Sequence, residues 1–176
     1  GFYGKPRVDR ALLRQLCEGR IALSACLAGE SPRRLRAGDY DGAKAYALEL
    51  SGIFGPEHFY LELQDHGIPE QREVNRGLLR IAQETGLPLV ATNDAHYLTR
   101  EDSELQDVLL CIQTGKTLAA PNRKRFETQE FYLKSEDEMR ALFPALPEAL
   151  ENTQRIADRC KVEFEFNHYH LPAFTP

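Results

Sequence analysis

The feature that most constrains the fold is a regular alternation of helical and strand-like segments along the first two-thirds of the chain. Three short and largely apolar segments, each bounded by turn-forming residues, are predicted to be strands: Ile21–Cys26, Phe59–Leu63 and Leu87–Thr92. Helical patterns precede the first strand and separate the others. Strands that are joined through helices are normally parallel and connected by right-handed crossovers. The sequence therefore predicts an α/β fold with the order αβαβαβ and a parallel sheet.

Capping residues and apolar spacing predict the three helices of this region. The first is capped by Asp9 and ends at Gly19, the second opens at Asp39 or Asp41, and the third begins at Pro69. The apolar positions of these helices are Leu12, Leu13 and Leu16, then Ala43, Tyr46, Ala47 and Leu50, then Val74, Leu78 and Ile81. Three strands are few for a complete fold of this class, so further strands are expected outside the segment.

The last third of the chain has a different character, because helical patterns and a polar connector replace the alternation. A helix is predicted over Glu101–Thr114, a connector over Lys116–Gln129 and a short strand over Phe131–Lys134. A helix opened by the capping box of Ser135 and Glu138 and a helix over Pro147–Lys161 follow. We therefore divide the chain into an α/β part, residues 1–115, and a connector with a mostly helical extension, residues 116–176.

The charge balance argues against a surface built to bind nucleic-acid phosphates. The chain has 22 Lys and Arg residues against 27 Asp and Glu residues, which gives a formal net charge of −5. The short basic cluster Arg123–Arg125 is therefore expected to be a solvated loop, and a contact with a nucleic-acid phosphate is the alternative.

Neither a membrane-spanning segment nor a disulfide framework is expected. The longest stretch without Asp, Glu, Lys or Arg, Phe166–Pro176, is far shorter than the ~20 residues that span a bilayer. The four cysteines, Cys17, Cys26, Cys111 and Cys160, form no CxxC pair, which favours free thiols in a reducing compartment. We expect a cytoplasmic protein without membrane contact.

The most informative polar residues follow the predicted strands, where parallel α/β folds bind their ligands. Asp94 and His96 come directly after the third strand and are two residues apart, so both side chains can face one cavity. Imidazole, carboxylate and thiolate are the usual zinc ligands, so this pair predicts a metal site. The alternative is structural: Asp94 caps the next turn and His96 binds a backbone carbonyl.

Cys26, Glu62 and His66 are weaker candidates at the ends of the first and second strands. Cys26 completes a site with Asp94 and His96 only if the first and third strand ends are neighbours; otherwise it is a packed small residue. Glu62 and His66 are candidates for lining the same rim, and a solvated carboxylate is the alternative for Glu62. His168 and His170 are expected to be surface residues, because no strand end organises them.

Several long stretches of the chain resemble the PHP (polymerase and histidinol phosphatase) domain found at the amino terminus of bacterial replicative DNA polymerase III alpha subunits. The stretches that carry the resemblance to this domain cover residues 1–7, 21–30, 59–71, 88–97 and 107–116. Residues 131–135, 147–153 and 170–174 resemble the connection from that domain toward the polymerase core. Because the matches cover nearly the whole chain in order, they are more specific than any short motif.

The resemblance implies a partial distorted (β/α) barrel with a cluster of metal ligands at the carboxyl ends of its strands. Cys26, Asp94 and His96 match ligands of that cluster, whose other ligands lie in the family upstream of the matching residues. The expected ions are divalent, zinc above all, when those upstream ligands are present. Family members that keep the cluster can carry a 3′–5′ exonuclease, and others use the domain as a structural support that docks a partner.

The same resemblance implies that the parent protein is a DNA-directed DNA polymerase acting in DNA replication. Its magnesium-binding polymerase core lies in the family outside the matching segment. The implied partners are DNA, the rest of the polymerase chain, a proofreading exonuclease subunit and the sliding clamp. The segment itself is expected to be inactive. Two alternatives stay open: a non-catalytic docking domain, and a free-standing hydrolase with Cys26 as nucleophile, His96 as base and Asp94 as the residue that orients it.

Overall fold

A computed structural model describes residues 4, 7–169 and 171 of the chain. Within them the elements are α1 Arg10–Leu16, β1 Ala22–Leu23, α2 Glu30–Arg36, α3 Tyr40–Phe54, β2 Phe59–Leu63, α4 Pro69–Thr85, β3 Leu89–Ala91, a 3₁₀ turn Arg100–Asp102, α5 Ser103–Thr114, α6 Glu136–Leu142 and α7 Pro147–Arg159. The predicted opening of the chain and His170 lie largely or wholly outside the described residues. In the part that is described, no helix has the length and apolar character to span a membrane.

The three strands form one parallel sheet in the order β1-β2-β3, which confirms the predicted α/β class and the parallel pairing. Ala22 pairs with Phe59 at one side of β2, and Leu61 pairs with Leu89 at the other side. Because β2 lies between its two neighbours, β1 and β3 do not touch. Closure of this sheet into a barrel by further strands stays a prediction.

The hydrophobic core lies against one face of β2. Phe59, Leu61 and Leu63 alternate along the strand and are completely buried, as their spacing predicts. Helix α4 covers them with its buried stripe, which includes Val74, Leu78 and Ile81, and α3 contributes Ala43 and Ala47. These residues are the ones that the apolar periodicity selects, so sequence pattern and packing agree in this layer.

Helices α6 and α7 pack on the same core. Phe143 and Ala149 belong to the buried cluster that contains the β2 residues. Asn152, which is 4% exposed, donates a hydrogen bond from Nδ2 to the carbonyl oxygen of Leu89 in β3 at 2.7 Å. The extension at residues 116–176 thus packs against the sheet. A domain boundary at residue 115 stays a prediction.

The structure differs from the sequence-based prediction in three local features. Helix α2 was not predicted, helix α1 buries none of its residues, and the segment Phe131–Lys134 contributes only the isolated bridge between Tyr97 and Tyr132. The buried stripe predicted for α1 is not observed, and Leu12 and Leu16 are 38% and 50% exposed. A strand needs a partner along its whole length, and the segment around Tyr132 meets the chain around Tyr97 at one position.

Candidate functional site at the carboxyl ends of the strands

The three strand ends lie along one edge of the sheet, since all three strands run in the same direction. The chain leaves β1 through residues 24–26, β2 through residues 64–66 and β3 through residues 92–96. We call this set the strand-end rim. In parallel α/β folds this edge is where ligands bind, because the loops that follow the strands are free to carry polar side chains.

Two strained backbone positions lie on the rim. Ala25 has a φ of 66° and Asp94 has a φ of 45°, values in the left-handed region that non-glycine residues rarely adopt. Each such position costs about 1–3 kcal/mol and persists only where its surroundings hold it, often at functional sites. Ala25 precedes Cys26, and Asp94 begins the Asp94–His96 pair, so the strain lies next to the residues singled out by sequence.

Asp94 and His96 lie together, as their spacing predicts. Nε2 of His96 is 3.4 Å from Oδ1 of Asp94, and the two side chains are 39% and 43% exposed respectively. The backbone N–H of His96 donates to the carbonyl of Phe131 at 2.7 Å, and its ring lies 4.7 Å from the ring of Phe126. The imidazole thus contacts an aromatic ring at a tilt of 46°, while the Asp94–His96 pair remains partly open to solvent.

Cys26 lies on the other side of the central strand. It follows β1, whereas Asp94 and His96 follow β3, and adjacent strands are separated by about 4.8 Å. Cys26 lines a small recess with residues that include Glu62, Gln64 and Asn75. Gly29 N–H donates to the carbonyl of Cys26 at 2.8 Å and closes the loop tightly. The condition that makes Cys26 a partner of Asp94 and His96, neighbouring first and third strands, is therefore not met.

These residues do not make a complete metal site by themselves. Across residues 7–169, no three His, Cys, Asp or Glu side chains are grouped so that they could hold a metal ion. The donor types suit zinc, but only Asp94 and His96 are adjacent. A metal centre that uses them needs ligands from outside the described residues.

Glu62 belongs to a polar tie that crosses all three strands. Its carboxylate accepts hydrogen bonds from Nε2 of Gln64 at 3.0 Å and from Oγ1 of Thr92, and its backbone N–H donates to Oγ of Ser24 at 2.8 Å. Gln64 also donates to Thr92 at 3.1 Å. Glu62 is thus neither a freely solvated carboxylate nor an unpartnered one. The tie fixes the relative positions of the strand ends.

His66 is completely buried and uses both ring nitrogens inside the protein. Nε2 lies 2.6 Å from the carbonyl oxygen of Asn93, and Nδ1 lies 2.8 Å from Nε2 of Gln71. Because a carbonyl can only accept, Nε2 carries the proton and Nδ1 accepts from the Gln71 amide. The ring stacks on Phe131 with centroids 3.9 Å apart. His66 therefore joins the loops after β2 and β3 to the Phe131 segment.

Sequence reasoning missed the partners of His66. Gln71, 5% exposed, also accepts the backbone N–H of His66 through Oε1 at 2.7 Å, and Oγ1 of Thr128 donates to the carbonyl of His66 at 2.7 Å. Asn93 donates through Nδ2 to the carbonyl of Tyr132. A signal for Gln71 exists, since it is a polar residue on the buried stripe of α4; Thr128 lies in the connector and gives none.

In the basic cluster Arg123–Arg125, one residue makes an internal ion pair and the other two are exposed. Arg123 binds Asp107 with both guanidinium nitrogens Nη1 and Nη2, and its side chain is only 11% exposed. These hydrogen bonds lower the pKa of Asp107. Lys124 and Arg125 are exposed. Arg123 thus anchors the connector on α5. Only Lys124 and Arg125 are solvated, as was expected for the whole cluster.

Comparison with known proteins connects this architecture to one family. Residues 1–66 match the family model of the PHP domain. The chain is 49% identical to the DNA polymerase III subunit alpha of Treponema pallidum over 162 residues, which cover 92% of this chain and 14% of that protein. It is 44% identical to the Thermus aquaticus protein of the same name over 180 residues, which cover 99% of this chain and 15% of that protein.

A third relative gives the same result. The DNA polymerase III subunit alpha of Borreliella burgdorferi is 49% identical over 160 residues, or 91% of this chain and 14% of that protein. The chain thus spans about one seventh of the length of these curated relatives. Since the PHP model matches residues 1–66 and these relatives match nearly the whole chain, the chain is similar to a fragment of the PHP region of bacterial DNA polymerase III alpha subunits.

Proposed function

We propose that the chain is part of a bacterial replicative DNA-directed DNA polymerase, in which its strand-end rim contributes donors to a divalent metal site of the PHP domain. The observation that carries the proposal is the solvent-open pair of Asp94 and His96 at a strained strand end. Cys26 is proposed as a ligand at another position of the same cluster, because β2 separates it from Asp94 and His96. The remaining ligands come from parts of the full-length protein outside the chain.

Zinc is the ion that this donor set favours, because thiolate, imidazole and carboxylate are its usual ligands. A bound ion of this kind supplies a water of lowered pKa for phosphodiester hydrolysis, the chemistry of a 3′–5′ exonuclease. The residues of the chain hold the ion and orient its ligands. The carboxylate of Asp94 lies against Nε2 of His96, and the ties of Glu62 and His66 fix the loops that carry them.

The other activities in this proposal lie outside the chain. Nucleotidyl transfer with magnesium ions belongs to the polymerase core of the full-length protein. Contacts with DNA, the proofreading exonuclease subunit and the sliding clamp likewise belong to the complete subunit. The exposed Lys124 and Arg125 are candidates for a phosphate contact.

A non-catalytic scaffold is the second candidate function. It is favoured by the fact that the polar groups of Glu62 and His66 are engaged by internal hydrogen bonds and join strand ends and loops. In this alternative the rim supports the polymerase and docks a partner, and Asp94 and His96 bind no ion. A free-standing cysteine hydrolase has no such support, since β2 lies between Cys26 and His96.

Metal analysis of the full-length protein separates the two candidates. We expect stoichiometric zinc in the wild type and its loss in Asp94→Ala, with a parallel loss of hydrolysis of a 3′-labelled DNA strand. Cys26→Ser is expected to reduce the zinc content as well. The matched controls are Asp41→Ala in the first turn of α3 and Cys17→Ser after α1, which lie away from the rim.

The scaffold predicts a different pattern. The wild type then contains no bound metal, or the same amount as Asp94→Ala and Cys26→Ser, while polymerase activity persists. Zinc loss in the control variants to the same extent as in the rim variants would show that the measurement reports general destabilisation, and it would remove the support for these ligands.

A further inference from the structure

A cavity of about 210 Å³ lies between the connector and the first half of α5. We call it the connector cavity. Its lining comes from three places in the chain: Tyr97 after β3, residues 103, 104 and 107 of α5, and residues 123 and 125–129 of the connector. None of these residues is among the candidates for the metal site, so the cavity needs an explanation of its own.

Two aromatic rings connect the connector cavity to the Asp94–His96 pair. Phe126 lines the cavity, and its ring centroid lies 4.7 Å from that of His96 and 4.6 Å from that of Phe131. Tyr97 directly follows His96 in the chain and also lines the cavity, with its ring centroid 6.5 Å from that of Phe126. A group bound in the cavity therefore lies one aromatic ring away from the imidazole of His96.

The charges around the connector cavity disfavour a phosphate inside it. Asp107 and Arg123 neutralise each other through two hydrogen bonds. The other charged residues of the lining are Arg125 and the exposed Glu104 and Glu127. Two carboxylates beside one guanidinium repel an anion, but they accept hydrogen bonds from the N–H groups of a nucleobase. The charges and the aromatic wall together fit an uncharged, planar base.

We propose that the connector cavity binds a nucleobase at the 3′ end of a single DNA strand. The inference rests on the proposed function, which supplies the DNA strand and places phosphodiester hydrolysis at the neighbouring Asp94–His96 pair. Aromatic side chains bind unstacked bases by stacking, and this mode of binding accepts all four bases. The exposed Lys124 and Arg125 directly precede Phe126 in the chain and supply positive charge for the phosphate next to the bound base.

Photochemical cross-linking of the full-length subunit to DNA tests the proposal. The probe is a single strand with 5-iodo-2′-deoxyuridine at its 3′ end, and the control strand carries the same nucleotide at its centre. EDTA is present, so that no metal-dependent hydrolysis removes the label. After irradiation, peptide mass spectrometry locates the cross-links. We expect them at Phe126 or Tyr97, with a yield at least about fivefold higher for the probe than for the control strand.

Two variants test the aromatic wall. Phe126→Leu keeps an apolar side chain but removes the ring, and we expect it to lower the cross-link yield at Tyr97 at least about fivefold. The matched control is Tyr46→Leu, which removes a half-buried ring of α3 and is expected to leave that yield unchanged. The mapping in the unsubstituted subunit decides the question even where a variant fails to fold.

Cross-links that map only outside the cavity residues overturn the proposal. Equal cross-linking by the two strands also overturns it, because the cavity then contacts single strands without regard to their ends. Zinc analysis remains a separate measurement. Cross-linking at Phe126 in a subunit that contains no zinc supports the base site and removes the metal function, whereas zinc without this cross-link removes the base site alone.

Discussion

At the scale of single residues, His66 and His96 show how the surroundings of an imidazole decide its use. His96 is more than one-third exposed and lies beside a carboxylate, whereas His66 is completely buried with both nitrogens engaged. The sequence places both histidines at strand ends and favours His96 only because Asp94 lies two residues before it. The difference comes from Gln71 in the helix that follows and from Phe131 in a segment distant in sequence. The contact with Phe131 leaves no local signal.

Replacement of His66 by alanine tests its role as a structural link. His66→Ala leaves the carbonyl of Asn93 and the amide of Gln71 without their partners and opens a cavity against Phe131. We expect the free energy of unfolding to fall by about 3 kcal/mol. Urea denaturation followed by circular dichroism measures this change. The control His96→Ala removes a half-exposed ring, and an equal loss in both variants would contradict the assignment.

Cys26 marks the limit of residue-level prediction. The sequence places Cys26 at the end of a strand predicted over Ile21–Cys26, whereas the observed strand ends at Leu23. The partnership of Cys26 with Asp94 depends on strand order. Local patterns predict strands but do not order them, since the order is set by the packing of helices between strands that are far apart in sequence. The central position of β2 is thus a property of the whole sheet, and no local motif near Cys26 predicts it.

At the scale of elements, helix α2 is the principal omission of the sequence-based prediction. Its seven residues include Glu30, Pro32 and three arginines, so no apolar stripe indicates a helix. Its amino-terminal residue Gly29 makes no side-chain cap, and the buried side chains are Ser31 and Pro32. Helices α3 and α4 were predicted because their stripes are apolar, whereas α2 is stabilised by packing and by the ion pairs of Glu30 with Arg33 and Arg34.

The packing of α2 on α4 leads to a prediction about two helical glycines. A Cβ atom on Gly77 would lie 2.7 Å from Cδ2 of Leu35 in α2, whereas one on Gly52 in α3 meets no atom within 4 Å. Gly52→Ala is expected to raise the free energy of unfolding by about 0.5–1 kcal/mol, because alanine favours the helix. Gly77→Ala is expected to lower it by about 1 kcal/mol, because overpacking outweighs that gain.

Urea denaturation of both glycine variants checks the expectation, with Gly52→Ala as the matched control for the backbone effect. Adding Leu35→Ala to Gly77→Ala provides the further comparison. If the clash with Leu35 is the cause, the double variant loses less stability than the sum of the two single variants. A stabilising Gly77→Ala would mean that Leu35 moves aside freely.

The amino terminus of α6 carries a pH-dependent contribution to stability. Hydrogen bonds from the Tyr132 hydroxyl and from the backbone and hydroxyl of Ser135 lower the pKa of Glu138 from 4.5 to about 2. A carboxyl group whose pKa is lowered on folding stabilises the fold fully at pH values above its ordinary pKa of 4.5. This stabilisation is lost as the pH falls toward 2. Because Glu138 is exposed, the effect is screened and modest.

Glu138→Gln is therefore expected to be less stable than the wild type at neutral pH. The difference in urea midpoint shrinks as the pH is lowered from about 5 toward about 2, where the wild-type carboxylate becomes protonated. Asp137→Asn, an exposed acidic residue of the same helical turn, serves as the control. A difference for Glu138→Gln that is constant across this range would indicate that the hydrogen bonds, and not the charge, carry the stabilisation.

At the scale of the whole molecule, the carboxyl-terminal helices decide where the structural unit ends. The change of sequence character near residue 115 predicts a separate extension, and the two helices it contains were predicted close to their observed bounds. Their position against β3 was not predicted, because amphipathic spacing gives the face that a helix buries but not the surface that receives it. Phe143 and Ala149 share the core with β2, so the packing crosses the proposed division.

Asn152 tests whether that packing makes one cooperative unit. Its side chain in α7 binds the carbonyl of Leu89, so Asn152→Ala leaves a polar group of β3 without a partner at a buried position. We expect the loss to be about 1–3 kcal/mol and to increase hydrogen exchange in β3 as well as in α7. Gln154→Ala, on an exposed position of the same helix, is the control and should leave β3 unchanged. Faster exchange confined to α7 would instead support an extension that opens independently of the sheet, with a structural boundary between the two segments.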